Sequence, residues 1–523
     1  MNEPTDLPHR SVLQRYRTFI VGLVLVAVAV LVVVATSGNQ PTDEGATSTV
    51  TRAPAQESNQ TSPTEPASGQ TSTFAPATTP ATTEPDTGSE PTDPSEPSTT
   101  VTSGLRPSGV EADLEAVLDS LATGLDAEAI NRLVQSGDLR VAWVLADLMR
   151  FIHPEQYGLS DAFTLLTGVE LGSNPWKEAT NKLIEWDTPA PPGFGEWKGQ
   201  VYTLIDSRWT PFFADPDSLI DWRHVTWGGV FIDDRPISVA DQPCPLGCIP
   251  ALNAPPLEPA SESDYYPDDA YVFAVTVNGE AVAFPKNMME VHEMVNITIG
   301  GRRLGIPYCT LCGSAQAYFT DEIPESARAL MAGAETFELR TSGLLSRSNK
   351  MMYEYHTFSM IDTFTGQAVS GPLRAAGVQL PQTTVLASRW GEWKAANPHS
   401  YIVVEDGGLG RIYPDDPLRG RDDDGPIFPT GDVDGRLPVQ EKVLGVLWQD
   451  GSTSTAVAFP VAASHEILQG GGSVEYGGIT VRRDGGGLRA WDPDGEEIPA
   501  HEAFWFAWSQ FHPGTELWTP AGN

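Results

Sequence analysis

The stretch Ile306-Pro-Tyr-Cys-Thr-Leu-Cys-Gly-Ser-Ala-Gln-Ala-Tyr-Phe319 separates two cysteines, Cys309 and Cys312, by two residues and places a glycine directly after the second. Its flanks are apolar and aromatic, which is typical of a buried β-strand. The pattern therefore predicts a pair of thiols at a tight turn next to a strand. This pair is the first candidate for chemistry in the chain.

The residues before this stretch predict two β-hairpins. Ala270–Val277 and Glu280–Phe284 are rich in β-branched and aromatic residues, and the Asn-Gly pair between them is a strong turn signal. A Gly-Gly pair at 300–301 predicts the second hairpin, whose last strand, Arg302–Ile306, leads directly into Cys309.

The rest of the carboxy-terminal half predicts more strands and a few helices. Further strands are predicted at Thr336–Arg340, Lys350–Tyr355, Tyr401–Glu405, Lys442–Trp448 and Thr453–Phe459. Short helices are predicted at Lys286–Val295, Ser388–Ala396 and Ala500–Phe511. We therefore expect residues 223–523 to form one large, mainly-β domain with a few short helices.

Residues 111–222 predict an all-helical unit of about six helices, so the fold class is α+β. The Asn174-Pro175 pair is typical of a helix start, because asparagine caps a helix well and proline is tolerated at its first position. Tryptophans recur through this unit, and we interpret them as packing residues. One apolar face at helical spacing contains Leu114, Val117, Leu118 and Leu121.

The amino terminus predicts a membrane anchor. Phe19–Ala35 is apolar and uncharged, and a helix of that length spans roughly 26 Å, close to the hydrocarbon thickness of a bilayer. Three arginines precede this run and the next basic residue is Arg52, so residues 1–18 are expected in the cytoplasm. We expect a single transmembrane helix at 19–36 in the cell membrane, with the later residues extracytoplasmic. A cleaved signal peptide is the alternative.

Residues 37–110 predict a disordered linker. They are rich in threonine, serine, proline and glutamate and contain almost no large apolar residue. Such a segment cannot bury enough surface to offset the entropy lost on ordering. Its expected role is a spacer between the membrane and the folded part.

The charge of the chain limits the classes of partner that it can bind. The 523 residues carry a formal net charge of -37, without a cluster of lysine and arginine. Phosphate backbones are bound by such clusters, so nucleic acid is excluded as a partner. The membrane, through the amino-terminal helix, is the one partner that the sequence predicts, and a protein or small-molecule partner stays unspecified.

The cysteines admit three interpretations. The chain has four, in two close pairs: Cys309 with Cys312, and Cys244 with Cys248. The first pair fits thiol redox chemistry, because a disulfide can close across the turn. It equally fits one half of a metal site for an ion such as zinc, with Cys244 and Cys248 as weaker candidates for further ligands. The third interpretation is a structural disulfide in an exported domain.

His292 and Glu293, just upstream, are the secondary candidates for catalysis. A His-Glu pair is part of the zinc-protease pattern HExxH, but position 296 is asparagine, so that class is excluded. His292 fits a general acid or base near the thiols, a metal ligand, or a buried hydrogen-bonded side chain.

Three motifs in register resemble the domain-of-unknown-function family 3179 of bacteria and archaea, over about residues 249–523. They are Val291–Asn296 followed by Gly-Gly, Tyr308–Ala315, and Ser342–Asn349 followed by Met-Met-Tyr. The family has no established activity. Some of its relatives are described as selenoproteins, which implies a reactive thiol rather than a structural bridge. Thr310 stands where this family usually has proline, and Ile297 stands where aspartate is usual.

Two functional hypotheses follow. The first is an extracytoplasmic, membrane-anchored protein with thiol-redox or thiolate-metal chemistry at Cys309 and Cys312, assisted by His292 and Glu293. The second is a non-enzymatic surface binding or scaffold protein in which the cysteines form a structural disulfide. The exposure of the two sulfurs distinguishes them.

Overall fold

The protein is described by a computed structural model over residues 110–236, 244, 247–331, 333–334, 336–423, 425–450 and 453–520. The predicted cytoplasmic tail, the membrane helix and nearly all of the linker lie outside these residues. Among the helices of the described ranges, none is both long and apolar enough to cross a bilayer. The described residues belong to one compact unit.

The first part of this unit is helical. Its α-helices are α1 (Val110–Ser120), α2 (Ala127–Gln135), α3 (Ala142–Phe151), α4 (Leu159–Thr167), α5 (Pro175–Glu185), α6 (Phe194–Ile205) and α7 (Thr210–Phe213), joined by 3₁₀ turns at Leu139–Val141, Gln156–Gly158, Ser207–Trp209 and Trp222–His224. The predicted helix start at Asn174-Pro175 is confirmed, because the Asn174 side chain accepts a hydrogen bond from the N–H of Lys177 in the first turn of α5.

Helix α3 lies at the centre of the helical part. Its residues 142–149 are all buried, including the carboxylate of Asp147. Lys198 on α6 pairs with Asp147 at 3.0 Å, and both side chains are almost completely shielded from solvent. This charged pair sits in an otherwise apolar core.

The remaining residues form strands and short helices. In chain order the first strands are β1 (Val225–Trp227), β2 (Leu252–Asn253), β3 (Leu257–Pro259), β4 (Tyr271–Val277), β5 (Glu280–Pro285), β6 (Met294–Ile299), β7 (Arg302–Cys309), β8 (Ser314–Ala315), β9 (Ala317–Phe319), β10 (Leu339–Ser346), β11 (Asn349–Glu354) and β12 (Ser359–Asp362). They are followed by β13 (Gln382–Thr383), β14 (Leu386–Arg389), β15 (Tyr401–Val403), β16 (Lys442–Asp450), β17 (Thr453–Pro460), β18 (Val474–Tyr476), β19 (Ile479–Asp484), β20 (Gly487–Trp491), β21 (Glu497–Ile498), β22 (Ala500–Phe504) and β23 (Glu516–Leu517). The helices between them are α8 (Lys286–His292), α9 (Glu325–Leu330), α10 (Gly371–Ala375), α11 (Trp390–Ala396), α12 (Val461–Leu468) and α13 (Trp505–Phe511). The predicted combination of helices with a large mainly-β part is confirmed.

These strands assemble into five sheets. Their strand orders are β1-β10-β11-β12, β13-β9-β7-β6-β2 with β8 paired to β7, β14-β4-β5-β15-β3, β22-β16-β17-β23, and β18-β19-β20-β21. Both predicted hairpins are confirmed, since β4 pairs with β5 around Asn278-Gly279 and β6 pairs with β7 around the Gly-Gly turn. Strand β7, which ends at Cys309, lies inside the second sheet.

The helical part and the first sheet share one hydrophobic core. Leu344 and Tyr353 of that sheet belong to the same buried cluster as the helix residues. The indole N–H of Trp209 donates a hydrogen bond to the carbonyl of Ser342 at 2.8 Å. Trp143 and Trp209 are buried as expected for packing residues, whereas Trp186 is 46% exposed.

Candidate functional site

The two cysteines lie on the turn that links β7 to β8. The N–H of Cys312 donates to the carbonyl of Cys309 at 3.2 Å, and the N–H of Gly313 donates to the carbonyl of Thr310 at the same distance. Gly313 has a φ of +57°, and a Cβ there would lie 2.6 Å from the Lys442 ammonium nitrogen and 2.8 Å from the Phe504 ring. Glycine is therefore required both by the backbone conformation and by the close approach of β16 and β22.

Both sulfurs face one carbonyl group. The thiols of Cys309 and Cys312 lie 3.7 and 3.6 Å from the carbonyl oxygen of Ser348, and the Cys312 sulfur lies 3.7 Å from the Ser348 hydroxyl. Ser348 belongs to the turn between β10 and β11. Two of the motifs that the sequence singled out, around Cys309 and around Ser342–Asn349, thus meet at the sulfurs.

A buried ion pair supports the turn from the other side. The Lys350 ammonium lies 3.5 Å from the Glu293 carboxylate, donates to the Glu293 carbonyl, and donates to the Thr341 hydroxyl at 3.1 Å. The other oxygen of the Glu293 carboxylate accepts from the Thr310 hydroxyl, at 3.3 Å, inside the CxxC turn. Burial lowers the pKa of Lys350, and the negative charge of Glu293 and of a Cys309 thiolate opposes that shift.

The environment shifts the pKa values of the two thiols in opposite directions. Burial acts to raise the pKa of Cys309, but hydrogen bonds from the Cys312 thiol and from the N–H groups of Lys350 and Cys312 outweigh it, so this pKa is lowered. The pKa of Cys312 is raised by burial and by its neighbour Cys309. Cys309 is therefore the thiol that ionises first.

Neither sulfur is exposed. Cys309 is 2% exposed and Cys312 is fully buried. Both belong to an apolar cluster that includes Phe364, Trp505 and Trp508. A reagent in solution reaches them only when this cover opens.

His292 is not brought to the cysteines. Its Nδ1–H donates to the carbonyl of Pro250 at 2.9 Å, and its Nε2 accepts from the Tyr413 hydroxyl at 2.8 Å. Burial is the main reason that its pKa falls to about 4, and Arg411 contributes. The ring is thus neutral at physiological pH and occupied at both nitrogens, which places it in the role of a buried, hydrogen-bonded histidine.

Glu293 adopts a backbone conformation that is rare for its residue type. Its φ is +53°, in the left-handed region, where it ends α8. The N–H of Glu293 donates to the Met289 carbonyl at 2.7 Å, and its carbonyl accepts from the N–H of Tyr308 at 3.0 Å. Such positions cost on the order of 1 kcal/mol and concentrate at functional sites. The contacts of the Glu293 carboxylate with Thr310 and Lys350 explain why a glutamate occupies this unfavourable backbone position.

The second cysteine pair forms a disulfide between Cys244 and Cys248. In this state neither sulfur is a thiolate. Within the described residues, no group of three or more histidine, cysteine, aspartate or glutamate side chains is arranged to hold a metal ion. The CxxC turn therefore offers two sulfur donors, fewer than the three or four protein ligands of zinc sites.

Sequence reasoning did not identify Ser348, Lys350 or Lys442 as parts of the site. Lys350 had a usable signal, because it is the one charged residue in the apolar run 350–353 of a predicted strand. Lys442 donates to the Gly313 carbonyl at 2.6 Å. Lys442 lies more than a hundred residues from the turn along the chain, so no local sequence pattern indicates this contact.

Comparison with known proteins gives one match. The model of a family described as a protein of unknown function (DUF3179) matches residues 246–515, which confirms the resemblance seen in the three motifs. Curated proteins and solved structures gave no match.

Proposed function

The chain belongs to the DUF3179 family, and we propose that it carries out dithiol–disulfide exchange at Cys309 and Cys312. Cys309 is the attacking thiol, and Cys312 is the thiol that resolves the intermediate. Glu293 and Lys350 hold the turn and its charge. The observation that supports this function is the placement of both sulfurs against the single carbonyl of Ser348, close enough for Cys312 to hydrogen-bond to Cys309.

The reaction needs a disulfide as the second substrate. The Cys309 thiolate attacks one sulfur of that disulfide, forms a mixed disulfide and releases the first thiolate. Cys312 then loses its proton and attacks the Cys309 sulfur, which releases the second thiolate. The dithiol is oxidised by two electrons, the substrate is reduced to two thiols, and the two protons of the cysteines go to the two leaving sulfurs.

The burial of the sulfurs limits the substrate. A macromolecular disulfide cannot approach a pair that is at most 2% exposed without a large opening of the apolar cover. A low-molecular-weight disulfide needs a smaller opening. We therefore assign the substrate to that class.

We place this function outside the cytoplasm. The uncharged run Phe19–Ala35 and the arginines before it support a single membrane anchor with the folded part on the far side. A fusion of the carboxy terminus to a reporter enzyme that works only outside the cell tests this placement. A silent reporter would contradict it.

A second candidate is a binding or scaffold protein with a structural Cys309–Cys312 bridge. The apolar cover of Phe364, Trp505 and Trp508 favours it, because buried cysteines in apolar surroundings are commonly unreactive. In that case the sulfurs would react only after unfolding.

Trapping the mixed disulfide separates the two candidates. In the folded Cys312→Ser variant, oxidised glutathione is expected to leave one glutathione on Cys309, because nothing resolves the intermediate. The wild type should instead form the internal disulfide without an adduct. Intact mass spectrometry reads both products.

The Cys309→Ser variant is the matched control. It keeps one thiol of the same turn, and burial, the main cause of the raised pKa of Cys312, persists in this variant, so adduct formation should be clearly slower than in Cys312→Ser. Equal rates in the two variants, or adducts only in denaturant, would favour the structural bridge.

A further inference from the structure

A cavity of about 400 Å³ lies beside the CxxC turn, where three sheets converge. Strands β4 and β14, strands β16 and β22, and strand β19 supply its walls, together with the start of α8, residue Glu392 of α11 and the length of α12. Pockets of this size hold small molecules in proteins. Part of the wall is apolar, from Phe273, Ala387 and Val461.

The inner part of the cavity contains one cation and one carboxyl group. Lys442 on β16 and Glu502 on β22 line it from diagonal positions, since Lys442 pairs with Phe504, two residues after Glu502. The Lys442 ammonium donates to the Gly313 carbonyl at 2.6 Å and lies 4.5 Å from the centre of the Phe504 ring. Over the described residues, neither Lys442 nor Glu502 forms an ion pair, and no side chain or N–H donates to the Glu502 carboxylate.

The other charges of the cavity are largely compensated. Lys286 pairs with Glu290, and Arg483 pairs with Glu392 at 2.5 Å. Arg389, on the exposed rim, donates to the Asp269 carbonyl and covers the Tyr271 ring at 4.9 Å. Within the part of the chain that the structure describes, Lys442 is thus the shielded cation of the cavity that forms no ion pair.

We propose that this cavity binds a small monocarboxylic acid, with the carboxylate between Lys442 and Glu502 and the apolar body against Phe273 and Val461. A monoanion matches the one uncompensated cation of the inner wall. A phosphate dianion fits less well, because it carries one negative charge more than this cation balances. The assignment uses none of the sulfurs and shares only Lys442 with the CxxC turn.

The proton on Glu502 makes binding depend on pH. Burial, opposed by the positive charge of Lys442, raises the pKa of Glu502 to about 7. Below that pH the neutral carboxyl can donate a hydrogen bond to the ligand, and above it the ionised carboxylate repels the ligand. His465 on α12 also faces the cavity, and burial and the positive charge of Arg483 lower its pKa, which favours the neutral ring. The other charged groups that face the cavity are Lys286, Arg389, Glu392 and Arg483.

Calorimetric titration of the full-length protein with benzoate tests the site. We expect a dissociation constant on the order of 1 mM at pH 6, as is usual for a ligand of this size. Affinity should fall about tenfold between pH 6 and pH 8, because binding above pH 7 takes up one proton. In the Glu502→Gln variant the change over this range should be at most about twofold.

Separate controls test the charge of the ligand and the location of the binding site. Benzamide, which has the shape of benzoate without its charge, should bind at least about tenfold more weakly, a factor within reach of one buried ion pair. Lys442→Met should weaken benzoate similarly. Lys177→Met is the matched control, because Lys177 also donates to a backbone carbonyl at 2.6 Å but lies in another part of the fold. Its affinity should equal that of the wild type.

Several results would overturn the assignment. The assignment would be contradicted if benzoate did not bind at about 10 mM, or if benzamide bound equally well. It would also be contradicted if Lys442→Met left the affinity unchanged, or if inorganic phosphate bound more tightly than benzoate. Thiol exchange is measured separately, so its failure and the failure of this site are distinguishable.

Discussion

Lys198→Met is expected to lower the free energy of unfolding by about 3–5 kcal/mol, the usual cost of removing one partner of a buried ion pair. Lys198 and Asp147 are 1% and 9% exposed and lie 3.0 Å apart. The second oxygen of the Asp147 carboxylate already lacks a hydrogen-bond partner among the described residues. Without Lys198, the whole carboxylate would be buried without compensation. Equilibrium denaturation in urea measures the loss.

The pH dependence of this loss has a definite sign. Burial, opposed by Lys198, raises the pKa of Asp147 to about 6, above its ordinary value of 3.8. A carboxyl with a raised pKa in the folded state contributes stability when protonated, and this contribution is lost as the pH rises through the folded pKa. The cost of Lys198→Met should therefore be larger at pH 8 than at pH 5.

Two further variants control this expectation. The double variant Asp147→Leu with Lys198→Met should recover most of the loss, because the buried charge is removed together with its partner. Lys182→Met breaks the exposed pair with Glu185 and should change stability by less than about 1 kcal/mol. A Lys198→Met loss as small as that of Lys182→Met would show that the buried pair is not needed for the fold.

Lys350→Met is expected to act on stability and on thiol chemistry together. The ammonium is buried, pairs with Glu293, and donates hydrogen bonds to the Glu293 carbonyl and to Thr341. Its loss should cost about 3 kcal/mol or more of unfolding free energy. It should also raise the pKa of Cys309, because the Lys350 ammonium and the Cys309 thiolate attract each other and this attraction favours ionisation of the thiol.

The pH profile of alkylation separates the two effects. In Lys350→Met, the pH of half-maximal alkylation of Cys309 should move upward. A looser fold would speed alkylation at every pH, whereas a raised thiol pKa slows alkylation at pH values below the midpoint. Lys394→Met, which breaks the more exposed pair with Asp268, is the control for charge removal and should alter neither quantity. An unchanged midpoint in Lys350→Met would remove Lys350 from the chemistry of the site.

Local signals predicted the elements around the site well. The hairpin turns at Asn278-Gly279 and at the Gly-Gly pair were readable because a tight turn depends on residues that are adjacent in sequence. The strands at Lys442 and Thr453 start at the residues expected. The short helix expected over Lys286–Val295 ends at His292, where Glu293 adopts its left-handed conformation and the strand β6 follows.

The prediction of a helix over Ala500–Phe511 is wrong in its first part. Residues 500–504 form β22, which pairs with β16 from Val446↔Ala500 to Lys442↔Phe504, and only Trp505–Phe511 is helical. A partner strand more than fifty residues away determines this strand conformation, so local propensity does not predict it. The same limit applies to Ser348, Lys350 and Lys442, whose roles arise from contacts between distant segments.

The most direct test of the central claim is the redox equilibrium of Cys309 and Cys312 in the folded protein. The full-length chain is equilibrated with graded ratios of reduced to oxidised glutathione, and its free thiols are then alkylated. The mass of the peptide that carries both cysteines is measured by mass spectrometry. We expect reversible, two-electron conversion between a doubly alkylated dithiol and an unalkylated disulfide, without a persistent glutathione adduct. A pair that stays in one state at every ratio, and changes only after denaturation, would contradict dithiol–disulfide exchange as the function of this site.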